Sequence, residues 1–122
     1  MAKILIVEDD SNLRKMLVSE FSKKNMEVLE AADGEEAITK IVDNKPDIIL
    51  LDLLLPKVDG FKVLERLRQY PEPKIASIHV VVLSNLWSDK DILQAKALKI
   101  DHYFVKANSK IEEVVQKVAS IK

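Results

Sequence analysis

The stretch Asp47-Ile48-Ile49-Leu50-Leu51-Asp52-Leu53-Leu54-Leu55-Pro56-Lys57-Val58-Asp59-Gly60 constrains this chain more than any other. Apolar residues run without alternation into one carboxylate, Asp52. Pro56 and Gly60 then break the chain before a helical pattern begins. A short apolar run bounded by turn signals reads as a strand buried on both faces, and such strands belong to parallel sheets covered by helices. Asp52 is thus expected at the carboxyl end of a central strand, the edge where open α/β sheets hold their ligands.

The rest of the chain alternates strand and helix signals around that element. Lys3–Val7 is a β-branched-rich run ending in Glu8-Asp9-Asp10. Ser11 is a good N-cap for a helix with the stripe Leu13, Leu17 and Phe21 and Met16 beside it, closed at Asn25. Met26–Glu30 alternates as an edge strand does. Asp33-Gly34 opens a second helix, with Ala37, Ile38, Ile41 and Val42 on its apolar side, and Asn44-Lys45-Pro46 ends it. A third helix runs from about Asp59, with Phe61, Leu64 and Leu67 on one face, and Tyr70–Pro73 is a connector. Ile78–Ser84 is a second continuous apolar strand. Ser88 or Asp89 caps a fourth helix carrying Ile92, Ala95 and Leu98. His102–Val105 is the last strand, ending at Lys106. Ser109 caps a last helix with Ile111, Val114, Val115 and Val118 inward. Five strands alternating with five helices, without repeat or linker, predict one α/β domain over residues 1–122. It is a doubly wound five-stranded parallel sheet with helices on both faces.

Composition removes several function classes. The 19 basic and 20 acidic side chains leave a net charge of −1, which gives neither a nucleic-acid footprint nor a polybasic membrane anchor. Without cysteine there is no disulfide, thiolate metal site or thiol nucleophile. Gly34 and Gly60 are the only glycines, too few for a glycine-rich phosphate loop. The N-terminus has no long apolar segment, so cytoplasmic residence is expected, with no nucleic acid and no membrane among the partners.

In a parallel sheet the strand ends share one edge. Glu8-Asp9, Asp52, Ser84 and Lys106 therefore meet. Crowded carboxylates repel one another, and a hard cation with oxygen ligands relieves this; magnesium suits one or two carboxylates together with phosphate oxygens. Lysine supplies a point charge for a phosphoryl oxygen, and serine a small donor. Each residue alone has a blander reading. Asp52 could cap a turn, the acidic run could favour a helix N-terminus, as Asp10 does, and Lys106 could be a solvated surface lysine. Tyr103 could be a half-buried strand tyrosine. Trp87 is either a partner contact or a lid packed over the site. His79 and His102 make no metal motif. The register of five positions, not any one of them, carries the functional reading.

With those residues in place the chain resembles the receiver domain of two-component response regulators, of the stand-alone single-domain type. The resemblance rests on Ile6-Val7-Glu8-Asp9-Asp10, Leu51-Asp52 with Pro56 and Gly60, Val82-Leu83-Ser84-Asn85, and Tyr103-Phe104-Val105-Lys106, and covers essentially the whole chain. It implies the flavodoxin-like strand order 2-1-3-4-5, for which a member of this family is a standard example. It implies that Asp52 accepts a phosphoryl group from a histidine kinase or histidine phosphotransfer protein. Glu8, Asp9, Asp52 and the Leu54 backbone carbonyl would bind Mg2+, Ser84 and Lys106 would hold the phosphoryl group, and Ser84 and Tyr103 would form the switch. Such a protein is a phosphoacceptor that assists its own phosphorylation and dephosphorylation, not a conventional enzyme. With no output domain after the last helix, it would act by binding an unknown downstream protein, as a monomer or a phosphorylation-dependent dimer, or relay the group onward. In receivers, the residues two beyond the aspartate and two beyond the hydroxyl flank the path of the hydrolytic water. Leu54 and Leu86 stand there and offer no polar atom, so a long-lived phosphorylated state is expected.

Four positions depart from the family pattern. Ala107 replaces a proline after the lysine, Lys99 a glycine ending the fourth helix, His79 a proline opening the fourth strand, and Ser84 the commoner threonine. Two rival readings share the sequence: a silent pseudo-receiver that only binds partners, and a metal-dependent phosphatase or hydrolase on a related fold. The second would want another acid shortly after Asp52, where Leu53, Leu54 and Leu55 stand instead.

Overall fold

A computed structural model describes residues 1–121. Its sheet has five parallel strands, β1 (Lys3–Val7), β2 (Glu27–Ala31), β3 (Ile48–Leu51), β4 (His79–Ser84) and β5 (His102–Val105), in the order β2-β1-β3-β4-β5. The helices are α1 (Ser11–Ser22), α2 (Gly34–Asn44), α3 (Gly60–Arg68), the single turn α4 (Pro73–Ala76), α5 (Asp89–Ala97) and α6 (Ile111–Ser120).

Strand alternation divides the core in two. Leu5, Val7, Ile49, Leu51, Val80 and Val82 face α2, α3 and α5, while Ile4, Ile6, Ile48, Leu50, Val81 and Leu83 face α1 and α6. Both faces of β1, β3 and β4 are buried, which is why these strands read as unbroken apolar runs. The doubly wound architecture and the strand order follow the sequence expectation.

Local chemistry moves several boundaries. Asp10, not Ser11, caps α1: its Oδ1 accepts from the N–H groups of Asn12 and Leu13 at 3.0 and 3.2 Å. Ser109 is not a cap either; its hydroxyl donates to the Val105 oxygen at 2.8 Å, and α6 starts after Lys110, whose N–H donates to Glu113 Oε1. The connector after α3 leads into α4, where Pro73 supplies a preset φ at the start of the turn. Val63 joins Leu64 and Leu67 on the buried face of α3, with Phe61 half-buried against the same core. Met16 is exposed.

Arg68 ties together the edge of the sheet opposite the strand carboxyl ends. Its guanidinium donates to the oxygens of Ala76, Ile78, Leu98 and Lys99, at 2.8 to 2.9 Å. Two of these carbonyls belong to the exit of α5, where Lys99 takes a left-handed φ of 62°.

Candidate functional site

The strand register assembles the site. Val7 pairs with Leu51 and Leu51 with Val82, so Glu8 and Asp52 leave their strands side by side, and the Asp52 N–H still donates to the Val7 oxygen at 3.1 Å. Ser84 lies further along β4, opposite Val105, and Lys106 follows directly. Glu8, Asp52 and Ser84 are the only buried polar or charged side chains among the described residues, at 2%, 3% and 0% exposure. Burial of acids in a sheet otherwise apolar on both faces is costly unless they are paired.

Lys106 provides that pairing. Its Nζ lies 2.8 Å from Glu8 Oε1 and 2.7 Å from Asp52 Oδ2. Each carboxylate has a second partner: Asp52 Oδ1 accepts from the Leu54 N–H at 3.0 Å, and Glu8 Oε2 from the Asp10 N–H at 3.1 Å. Burial pushes the Glu8 carboxyl above its usual range, and the Asp52 charge adds to this, while the Lys106 and Asp10 hydrogen bonds pull the other way. Burial works against the Lys106 ammonium, but its hydrogen bonds to Asp52 and Glu8 outweigh that and raise its pKa. The replacement of proline by Ala107 leaves this contact intact. The peptide bonds among the described residues are trans, and Lys106–Asn108 forms a short 3-10 turn that carries the ammonium inward.

The acidic set fits a divalent cation. Glu8, Asp9 and Asp52 each offer a carboxylate oxygen, and these atoms lie within 4.8 Å of one another. Asp9 is exposed, which leaves one side of the cluster open to solvent. The donors are hard oxygens, the chemistry of Mg2+ and similar ions.

A hydrogen-bonded path leaves Ser84 toward the surface. Its Oγ accepts from the Leu86 N–H at 3.3 Å, and the Leu86 oxygen accepts from the Tyr103 hydroxyl at 2.7 Å. Trp87 beside it is 73% exposed and does not cover the site. Of the two leucines expected near the site, Leu54 is exposed and Leu86 is half-buried.

The family model of the response regulator receiver domain matches residues 4–119. The chain belongs to that family. Receivers are the phosphorylation switches of two-component response regulators, and that general role comes with membership. One relative is the DNA-binding dual master transcriptional regulator RpaA of Synechocystis, 34% identical over 99% of this chain and 49% of that protein. A probable transcriptional regulator, ycf27 of Cyanophora paradoxa, is 36% identical over 85% of this chain and 41% of its own length. The chain thus spans less than half of these curated relatives. Among solved receivers, the chemotaxis protein CheY4 of Vibrio cholerae superposes with a TM-score of 0.88 at 25% identity, covering 100% of this chain and 99% of that one. The Mn(2+)-bound form of the response regulator Rcp1 gives 0.85 at 27% identity, covering 99% and 94%.

The receiver's sequence pattern missed two supports of its site. Arg14 donates to the Glu8 backbone oxygen at 2.7 Å and pairs with Glu30 at 3.1 Å, fixing the turn that carries the acidic pair. The Leu86 carbonyl, as acceptor for Tyr103, is a backbone group, and no side-chain identity signals it. Among the described residues, no helix is long and apolar enough to cross a membrane.

Proposed function

We propose that this receiver is a phosphorylation switch whose acceptor is Asp52. The observation that carries the reading is the Asp52 carboxylate, 3% exposed, held by the Lys106 ammonium on one oxygen and the Leu54 N–H on the other. These contacts hold a nucleophile in one orientation at the open edge of the sheet. An Asp52 oxygen attacks the phosphorus of a phosphohistidine in a histidine kinase or phosphotransfer protein. A P–O bond forms, the P–N bond breaks, and its electron pair leaves with the imidazole. Lys106 follows the charge from the carboxylate to a phosphoryl oxygen, and the Ser84 hydroxyl donates to another. Glu8, Asp9, Asp52 and the Leu54 carbonyl would hold Mg2+, which neutralises phosphoryl oxygen charge when bound. The chain assists its own phosphorylation without being a conventional enzyme.

Drawing Ser84 toward a phosphoryl group moves the Leu86 peptide to which it is bonded, and the Leu86 carbonyl is the acceptor of Tyr103. Output follows as a changed face of α5, β5 and α6 presented to another protein. A near-neutral charge supports a protein partner for this segment; DNA binding is named for a relative about twice as long. A cytoplasmic setting belongs to the same reading. The test is incubation with acetyl phosphate and Mg2+, followed by intact mass. One added phosphoryl group in the wild type and none in Asp52→Asn is expected. An unmodified wild type would mean a silent interaction module, and sustained turnover of the donor a hydrolase.

A further inference from the structure

The loop from β3 to α3 carries everything that follows Asp52, and two residues without side chains clamp it. At its far end the Gly60 N–H donates to the Leu53 oxygen at 2.9 Å, and a Cβ there would overlap the Leu53 backbone. At its outer bend the loop lies on the first turn of α2. The Gly34 N–H donates to the Pro56 oxygen at 3.3 Å, Lys57 Nζ stands 3.6 Å from Asp33 Oδ2, and a Cβ on Gly34 would overlap the Val58 carbonyl group. Gly34 does not occupy a left-handed conformation. Its backbone would accept alanine, and alanine is the better helix former. What glycine supplies here is the missing Cβ.

If a Cβ were present, one partner would have to move. Helix α2 is held by Ala37 and Ile41, both buried, and by the Asp33 cap, whose Oδ1 accepts from the Glu36 N–H at 2.8 Å. The loop exposes Leu54, Pro56 and Lys57 and only half-buries Leu55 and Val58 against the core, less than the fully buried Ala37 and Ile41 of α2, so the loop is the part that yields. Leu54 sits in that loop, and its N–H is the group that orients Asp52 Oδ1.

We propose that Gly34 is a positioning residue for the acidic site. It lets α2 seat the β3–α3 loop so that Leu54 holds the Asp52 carboxylate in the geometry a divalent cation needs. The inference rests on reading Glu8, Asp9 and Asp52 as a cation site. Supports of this kind, one shell behind the ligands, alter metal affinity without touching the ion.

The experiment counts free Mn2+ by electron paramagnetic resonance during titration of wild type, Gly34→Ala, Ile41→Val and Asp52→Asn. Gly34→Ala is expected to weaken binding about tenfold or more. Ile41→Val loosens the core under α2 without touching the loop and should keep wild-type affinity. Wild-type affinity in Gly34→Ala, or an equal loss in Ile41→Val, overturns the proposal. If Gly34→Ala does not fold, a glycine inserted between Lys57 and Val58 undocks the loop instead, since surface loops tolerate added length. That variant must show the same loss, and unchanged binding sinks the idea. Asp52→Asn separates the two levels. A wild type that binds Mn2+ no better than Asp52→Asn removes the cation site and this proposal with it. Weak binding in Asp52→Asn beside intact binding in Gly34→Ala removes only the role of Gly34.

Discussion

Helices α3 and α5 cover the same face of the sheet, yet they are held very differently. Helix α3 buries Gly60, Val63, Leu64 and Leu67. Helix α5, of equal length, buries only Ala95, and it leaves Leu93 67% exposed. The strands repeat the contrast. All four residues of β3 are buried, and none of β5 is. The β3–α3 loop is docked on α2, while the β4–α5 loop carries the exposed Trp87. Asp52 and Ser84 lie where these two halves meet. Asp52, the proposed acceptor, therefore stands on the part of the molecule with most to lose from moving. The Ser84 hydroxyl, at the end of the neighbouring strand, leads into the part with least to lose, the low-stability end from which switching elements are drawn.

Core truncation has the largest effect and falls on one half alone. Leu64→Ala should lower unfolding free energy by about 3 kcal/mol, and Leu93→Ala should change it by less than about 0.5 kcal/mol. Urea titration of both variants measures the difference, and similar losses would erase the contrast between the halves.

The next effect is kinetic and uses one leucine from each loop. The receiver resemblance implies that these positions flank the path of the hydrolytic water, and Leu54→Asn and Leu86→Gln would each supply a polar group there. Each should hasten loss of the phosphoryl group about tenfold, equivalent to roughly 1.4 kcal/mol in the barrier. Decay is followed after rapid removal of the phosphodonor, in Mg2+. A larger effect from Leu54→Asn would mean that the docked loop positions water better, and wild-type decay as fast as either variant would show that neither position gates it.

Tyr103 reports on how firmly the looser half is closed. Burial pushes its phenol up to about 12, with the charges of Asp91 and Asp52 adding to the shift. Because the folded value lies above the ordinary 10.0, the fold favours the neutral phenol. That contribution is complete below pH 10 and is lost as pH rises through 12. The ultraviolet difference titration against Tyr103→Phe should have its midpoint near 12, and a midpoint near 10 would mean an open loop. Tyr103→Phe itself should cost about 1 kcal/mol, for the hydrogen bond to Leu86.

Lys99→Gly should give the smallest change, a gain of about 0.5 to 1 kcal/mol, because lysine at a φ of 62° carries a steric cost that glycine lacks. A thermal or urea midpoint at or below wild type would show that unfolded-state entropy cancels the gain.

The central sheet was legible in the sequence because burial on both faces removes polar alternation: Ile48–Leu51 and Val80–Leu83 could hardly be anything else. The acidic site was legible because parallel strand ends must converge, so Glu8, Asp52, Ser84 and Lys106 needed only their strands to be found. Helix caps were less so, since Asp10 and Ser11 are equally good capping chemistry and only the path of the chain chooses between them. The half-packed helix α5 was also hidden. Ile92, Ala95 and Leu98 keep a helical spacing whether or not a neighbour covers them. The left-handed conformation of Lys99 was legible only through the family pattern, which puts a glycine there; lysine itself gives no sign of it. The Gly34 and Arg68 contacts depend on which elements meet across the fold, and no local pattern encodes that.

The four carbonyls held by Arg68 set the kind of travel open to the looser half. The exit of α5 is riveted through Leu98 and Lys99, while its entrance at Ser88 hangs on the loop beside the site. A helix fixed at one end and free at the other is a lever, and its fulcrum is a single guanidinium. A displacement of α5 that preserves those bonds swings or rolls the helix and does not slide it along its axis. Over nine residues the lever arm is about 13 Å, so a tilt of about 10° carries the entrance roughly 2 Å while the exit stays still.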